Sequence, residues 1–162
     1  MTEVSAGAPS QLVVVTRNVI ADAIRAIAEI ADRRVVVLGD DDPEGTPRER
    51  LALQPPTVRD AVVLTDHDAP EAYDLLRALL RSEAGYVAML ASRSRAANVL
   101  TLLRDEGFDP AALTRLHVPA GLDIGGKLPG EIALSVVAEV VAWSHDRPGG
   151  PLREGRSAGL PA

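Results

Sequence analysis

The stretch Leu12-Val13-Val14-Val15-Thr16-Arg17-Asn18-Val19-Ile20-Ala21 decides the fold. Four consecutive apolar residues, three of them β-branched, read as a short strand buried on both faces. That is the habit of a parallel strand covered by helices on each side. Asn18 then offers a side-chain oxygen to cap a helix. Ile20, Ala23, Ile24, Ile27, Ala28 and Ile30 follow on one helical stripe. Strand, polar junction, amphipathic helix is the first half of a βαβ unit.

The same alternation runs outward along the chain. Arg34 to Leu38 is a second strand, stopped by Gly39-Asp40-Asp41-Asp42-Pro43. Glu44 to Thr57 is rich in Pro, Gly and charge and predicts a loop with room for one short helix. Ala61 to Leu64 is a third strand, and Pro70 suits the first turn of a helix reaching about Arg81. Tyr86 to Leu90 is a fourth strand. Ser92 is placed to cap a helix through Glu106, with Gly107 as its C′ residue. Pro110 to Leu116 reads as a helical turn, and His117-Val118-Pro119 as a short fifth strand. Pro129 opens a last helix carrying Ile132, Leu134, Val136, Val137, Val140 and Val141. The expectation is an α/β fold: a Rossmann-like parallel sheet of about five strands, helices on both faces, joined by right-handed crossovers. One domain at 11–144 is expected, between disordered tails at 1–10 and 145–162.

Composition narrows the classes. Apolar residues are 46% and aromatics 2%, so the core must be built from Val, Leu, Ile and Ala. A formal charge of −6 repels phosphate backbones, and so few aromatics leave few platforms for stacking bases, which argues against a nucleic-acid partner. The absence of cysteine excludes disulfides, thiolate metal sites and a cysteine nucleophile. No stretch is long and apolar enough to span a bilayer. Met1 to Pro9 lacks the basic and apolar regions of a signal peptide. A cytoplasmic protein without a membrane partner is expected.

In such a sheet, ligands sit outside the carboxyl ends of the strands, so the residues following each strand are the candidates. Arg17 and Asn18 lie at the first strand-to-helix junction. Backbone amides and a guanidinium there suit a phosphate; equally, the loop has simply lost a ligand. Asp40, past the second strand, either holds a ribose hydroxyl or belongs to a solvated acidic turn. Asp66-His67-Asp68 is either a histidine between carboxylates or a polar turn. Ser92, Arg93 and Arg95 combine a helix start with hydroxyl and guanidinium groups, a phosphate cradle or a plain N-cap with two solvated arginines. Arginine at a helix start opposes the dipole and needs a reason.

One segment resembles a known family. Leu116-His117-Val118-Pro119-Ala120-Gly121-Leu122-Asp123-Ile124-Gly125, followed by Pro129-Gly130-Glu131-Ile132-Ala133-Leu134-Ser135, is similar to the signature closing the Rossmann domain of the XdhC/CoxI family. Tyr86-Val87-Ala88-Met89-Leu90-Ala91-Ser92-Arg93, Val63-Leu64-Thr65-Asp66-His67-Asp68 and Asp40-Asp41-Asp42-Pro43-Glu44 resemble further segments in the same order. The resemblance spans about residues 11 to 143. It implies an accessory protein for maturation of molybdenum-cofactor enzymes, one that binds and hands over rather than catalyses. The implied ligand is the molybdenum cofactor, with its molybdopterin phosphate. The implied partners are a molybdenum hydroxylase client or a separate protein of the family's N-terminal type. Within the motif, Gly121 lets backbone approach something closely, and Asp123 either contacts a ligand or pins its own loop.

The departures carry as much. Where the family's first strand ends in Gly-x-Gly-His-Val-Gly, this chain has Thr16, Arg17, Asn18, Val19, Ile20 and Ala21. NAD(P) or FAD in the usual pose is therefore not expected, because the glycines are what let the backbone reach a pyrophosphate. Two other readings stay open. One is a nucleotide-dependent oxidoreductase-like domain with an atypical pocket. The other is an interaction domain that has lost its ligand and self-associates through the Val-rich last helix.

Overall fold

Short valine-rich runs become strands here because each is apolar on both faces and flanked by turn-forming residues. In the computed structural model, which describes residues 11–155, these runs are β1 (Leu12–Val15), β2 (Val35–Leu38), β3 (Ala61–Leu64), β4 (Tyr86–Met89) and β5 (Leu116–His117). They form one sheet in the order β2-β1-β3-β4-β5, every neighbouring pair parallel. In register, Val14 lies beside Val37 on one side and Val63 on the other. The helices are α1 (Val19–Ile30), α2 (Pro47–Leu53), α3 (Ala72–Arg81), α4 (Arg93–Asp105), α5 (Pro110–Leu113), α6 (Pro129–Ser144) and α7 (Leu152–Gly155).

Alternate strand residues feed two separate cores, as a period of two demands. Val13, Val15, Val62, Leu64, Val87 and Met89 pack under α3 and α4, against Leu76, Leu79, Val99 and Leu103. Leu12, Val14, Ala61, Val63, Tyr86 and Ala88 pack under α1 and α6, against Ile24, Ala28, Val136 and Val140. The Rossmann-like expectation with helices on both faces is met. After β2 the chain returns past β1 to build β3, so the topological switch point lies between β1 and β3.

Several boundaries differ from expectation. β2 begins at Val35 and β4 ends at Met89. Pro70 precedes α3 rather than opening it: the Asp68 amide binds Asp66 Oδ1 at 2.9 Å and the Ala72 amide binds the Ala69 carbonyl, folding 66–72 into turns. β5 is Leu116–His117, shifted back from the expected 117–119, because Pro119 has no amide to continue the ladder. Past Ser144, where a disordered tail is expected, Leu152–Gly155 form a helical turn. Gly149 there sits so close to Leu122 that a Cβ would lie 2.9 Å from its side chain. The tail expected at 1–10 lies outside the described residues. Among those described, no helix is long and apolar enough to cross a membrane.

Candidate functional site

The carboxyl rim of the sheet divides into two halves. The first surrounds the switch point, and its own side chains fill it. Arg17 reaches from the end of β1 across Gly39 to Asp42, with Nη2 2.6 Å from Oδ1. A Cβ on Gly39 would stand 2.7 Å from Arg17 Nε, so the glycine makes room for this guanidinium. Asp42 also accepts the Gly39 amide at 2.9 Å and Arg50 Nη1 at 2.9 Å. The Gly39 amide, followed by Arg17, holds the Asp42 carboxyl below the usual carboxylate range. One residue on, Asn18 Oδ1 accepts the Ala21 amide at 2.8 Å and caps α1, as its position in the sequence implies. Its Nδ2 donates to Thr65 Oγ1 at 3.1 Å. The Thr65 hydroxyl in turn lies 2.8 Å from both the Val15 and Thr16 carbonyls. β1 and β3 are thus stitched together where the strand order reverses. Thr16 is left at φ 76, a left-handed position usually given to glycine. Asp40 is exposed and borders a crevice of about 20 Å³, the size of a water site.

The second half is open. Beyond β3, a cleft of about 860 Å³ lies over the ends of β3, β4 and β5. Ser92 and Arg93 enter it from the start of α4; Gly121 and Asp123 enter from the loop after β5. Ile20, Leu90, Ile124 and Ile132 supply apolar wall. Ser92 caps α4 by accepting the Arg95 amide at 3.1 Å. Arg93 Nη2 meets Asp123 Oδ2 at 3.2 Å, with side-chain exposures of 86% and 81%. His67 borders the cleft, its Nδ1–H donating to the Leu90 carbonyl at 3.0 Å, which leaves Nε2 3.4 Å from Asp68.

The loop between β5 and α6 is pinned at both ends. At its root, Gly121 has φ 102, and a Cβ there would collide with Ser135. Its amide donates to Glu139 Oε1 at 3.1 Å. The Tyr86 hydroxyl donates to the same oxygen at 2.5 Å, and His117 Nδ1 lies 3.4 Å from it. The Tyr86 and His117 rings stack with centroids 4.2 Å apart. Burial works against the charge on Glu139, but hydrogen bonds from His117, Tyr86 and the Gly121 amide outweigh it and lower the carboxyl below its ordinary range. Burial, with Glu139 beside it, raises the Tyr86 phenol well above its own. At the far end, Glu131 Oε2 accepts the amides of Lys127 and Leu128 at 2.9 and 3.0 Å. In between, the amides of Asp123, Gly125 and Gly126 donate to nothing among the described residues.

Of the residues singled out in the sequence, Ser92, Arg93, Gly121 and Asp123 therefore come together in one cleft. Arg95 turns to Asp68, 3.8 Å away, at its margin. Arg17, Asn18 and Asp40 do not join them: the first two are spent closing the switch point and the third borders the small crevice. Asp66, His67 and Asp68 do not converge on a single point, since Asp66 holds a turn amide. Glu139, Glu131 and Lys127 are the residues that reading the sequence missed. A glutamate inside the apolar run of α6 is the one signal that could have exposed Glu139. Among the described residues no group of three or more potential ligands could hold a metal ion.

The family model described as the XdhC Rossmann domain matches residues 12–140. The uncharacterized protein YqeB of Escherichia coli K12 is 33% identical over 106 residues, which cover 65% of this chain and 19% of that protein. A crystal structure described as a xanthine dehydrogenase from Bacillus halodurans superposes with a TM-score of 0.68 at 21% identity, covering 85% of this chain and 43% of the other. That likeness supports the fold alone. In both cases the chain spans less than half of the protein it matches.

Proposed function

The chain belongs to the XdhC Rossmann-domain family, and from that premise we propose that it acts as an accessory protein in the maturation of molybdenum-cofactor enzymes. Its part is to bind the cofactor or its client and hand it over, with no bond made or broken on this chain. The observation that carries this reading is the open cleft beside a closed switch point. A volume of about 860 Å³ lies within the range that takes a drug-sized ligand. Arg93, Lys127 and the unbonded amides of the glycine loop suit the cofactor's phosphate, while Ile20, Ile124 and Ile132 suit a flat ring. With no cysteine in the chain, contact falls to the organic part of the cofactor rather than to the metal through a thiolate. The partner is a molybdenum hydroxylase or a separate protein of the N-terminal family type.

Dinucleotide binding in the usual pose is not part of this reading, because Arg17 is bonded to Asp42 and Asn18 to Thr65 at the junction where a pyrophosphate ordinarily sits. Titration calorimetry with isolated molybdenum cofactor, NADP and FAD tests the reading. Heat is expected with the cofactor and none with the two dinucleotides. No heat with the cofactor, together with no molybdoenzyme co-purifying with the chain, would overturn it. Heat with NADP or FAD alone would favour an oxidoreductase-like domain instead.

A further inference from the structure

The two edges of the sheet are built differently. β5 is two residues long and Pro119 follows close behind it, so it offers little backbone for pairing. β2 is four residues, Val35-Val36-Val37-Leu38, with no proline, no charge and an unbroken register against β1. The Leu12 and Thr16 amides bond the Arg34 and Leu38 carbonyls, so the even-numbered residues face β1 while Val35 and Val37 turn their backbone groups outward. The Val37 carbonyl takes Arg17 Nη2 at 3.3 Å and keeps a second lone pair. The Val35 amide and carbonyl and the Val37 amide bond to nothing among the described residues. An open, flat, apolar edge of this kind is a template for another strand.

The flanks of β2 identify that strand. Arg33 and Arg34 precede it, and Asp40 and Asp41 follow it past Gly39. Arg34, Asp40 and Asp41 are exposed, and none of the four side chains enters an ion pair among the described residues. Arg33 Nε and Nη1 have no hydrogen-bond partner. Asp42, by contrast, is spent on Arg17 and Arg50. The chain bends at Asp32, with φ 56, which takes that acid off the line of the strand. The segment is therefore basic at its start, apolar in its middle and acidic at its end. It is complementary to itself when reversed. Laid antiparallel about a two-fold axis near Val36 or Val37, each copy's arginines stand at the other's aspartates. A parallel arrangement would set arginine beside arginine. We propose that β2 pairs with β2 of a second copy of this chain, antiparallel across a two-fold axis, so that two five-stranded sheets become one. This goes beyond the cofactor-binding reading and does not depend on it. β2 ends the strand order on one side while the open cleft lies over β3, β4 and β5, so the pairing leaves each cleft uncovered.

Sedimentation equilibrium tests it. The expected mass is twice the 17.1 kDa of the chain. Val35→Pro removes an outward amide without touching the ladder to β1, and should return the mass to that of one chain. Arg33→Glu with Arg34→Glu makes both flanks acidic; Asp40→Arg with Asp41→Arg makes both basic. Each pair of changes should weaken self-association by at least about tenfold, because like charges then face each other across the axis. Mixed in equal amounts, the two charge variants should form a mixed dimer at least as tight as wild type, since every acid then meets a base. The four side chains make no ion pair within the described chain, so urea midpoints near that of wild type will show that the charge variants are folded. If Val35→Pro does not fold, the mixing experiment decides alone. A single-chain mass for wild type at the highest concentration reached would overturn the proposal and leave the edge to a strand of a different protein. A dimer indifferent to Val35→Pro and to both charge reversals would overturn it too, and would move the contact to another face such as α6. Charge variants that stay apart on mixing would overturn the antiparallel self-pairing itself.

Discussion

Two Arg–Asp pairs stand on the same rim and do opposite things. Arg17–Asp42 closes at 2.6 Å, with the Asp42 side chain 8% exposed and also held by Arg50 and the Gly39 amide. Arg93–Asp123 meets through one contact with both partners in solvent. The residue types are identical; burial and the number of partners separate them. An aspartate that is itself nearly out of water and serves three donors is structural, because removing it takes a partner from each of them. A pair that water can replace on either side is available to a ligand. The switch point, where a doubly wound sheet ordinarily takes its ligand, has become structure. The free surface has moved along the rim to the ends of β4 and β5.

The contrast breaks most easily at the floor of the open half. Gly121 combines φ 102 with a Cβ position blocked by Ser135, so Gly121→Ala should cost about 3 kcal/mol from left-handed strain plus overpacking. Urea denaturation measures this. A loss below about 1 kcal/mol would mean that the loop root yields and that the open half is loose throughout. Next in size, Asp42→Ala should cost about 2 kcal/mol at pH 7, less than a fully buried pair because Arg17 is half in water. The sign with pH follows from the lowered carboxyl. The folded-state value lies below the unfolded one, so the stabilisation is complete above about 3.9 and is lost as pH falls through the folded value. The gap between wild type and Asp42→Ala should therefore narrow when the urea series is repeated at pH 3. A gap that persists would move the stabilisation from charge to packing.

The fold was legible because the signals were local. Val13 to Val15, Val62 to Leu64 and the Asn18 and Ser92 caps each announce themselves within a few residues. The cleft was half legible for the same reason: Ser92 and Gly121 follow strand ends, and parallel order forces strand ends onto one rim. What stayed hidden is non-local. Nothing near Arg17 indicates a partner 25 residues away. Nothing in Asp40-Asp41-Asp42 tells which of three adjacent acids turns inward, since that depends on the Gly39 amide and on α2 presenting Arg50. Glu139 was hidden by its helix, because only the packed sheet brings the Tyr86 hydroxyl and the Gly121 amide to it from opposite directions.

A smaller effect sharpens the sealed side. Asn18→Ala removes the α1 cap and the bond to Thr65, while the Thr65 hydroxyl keeps a carbonyl partner. The expected loss is about 1 kcal/mol. Combining it with Asp42→Ala in a double-mutant cycle should yield more than the sum, since Arg17 and Asn18 are consecutive and close one gap. Strict additivity would mean that the two stitches act independently and that the first half is not a single closed unit.

The smallest expected effect bears hardest on the contrast. Asp123→Ala should change stability by no more than about 0.5 kcal/mol, because its one partner is another solvated side chain and its amide donates to nothing among the described residues. Set beside Asp42→Ala, this makes the same substitution on the same rim differ at least severalfold in cost. Raising salt to about 1 M, where the screening length is about 3 Å, should leave Asp123→Ala unchanged and shrink the Asp42→Ala loss only partly, since a buried contact is screened less. If Asp123→Ala instead proved as costly as Asp42→Ala, the loop would have to be anchored by Asp123. Its carboxylate would then not be free to exchange Arg93 for anything else, and both halves of the rim would count as scaffold.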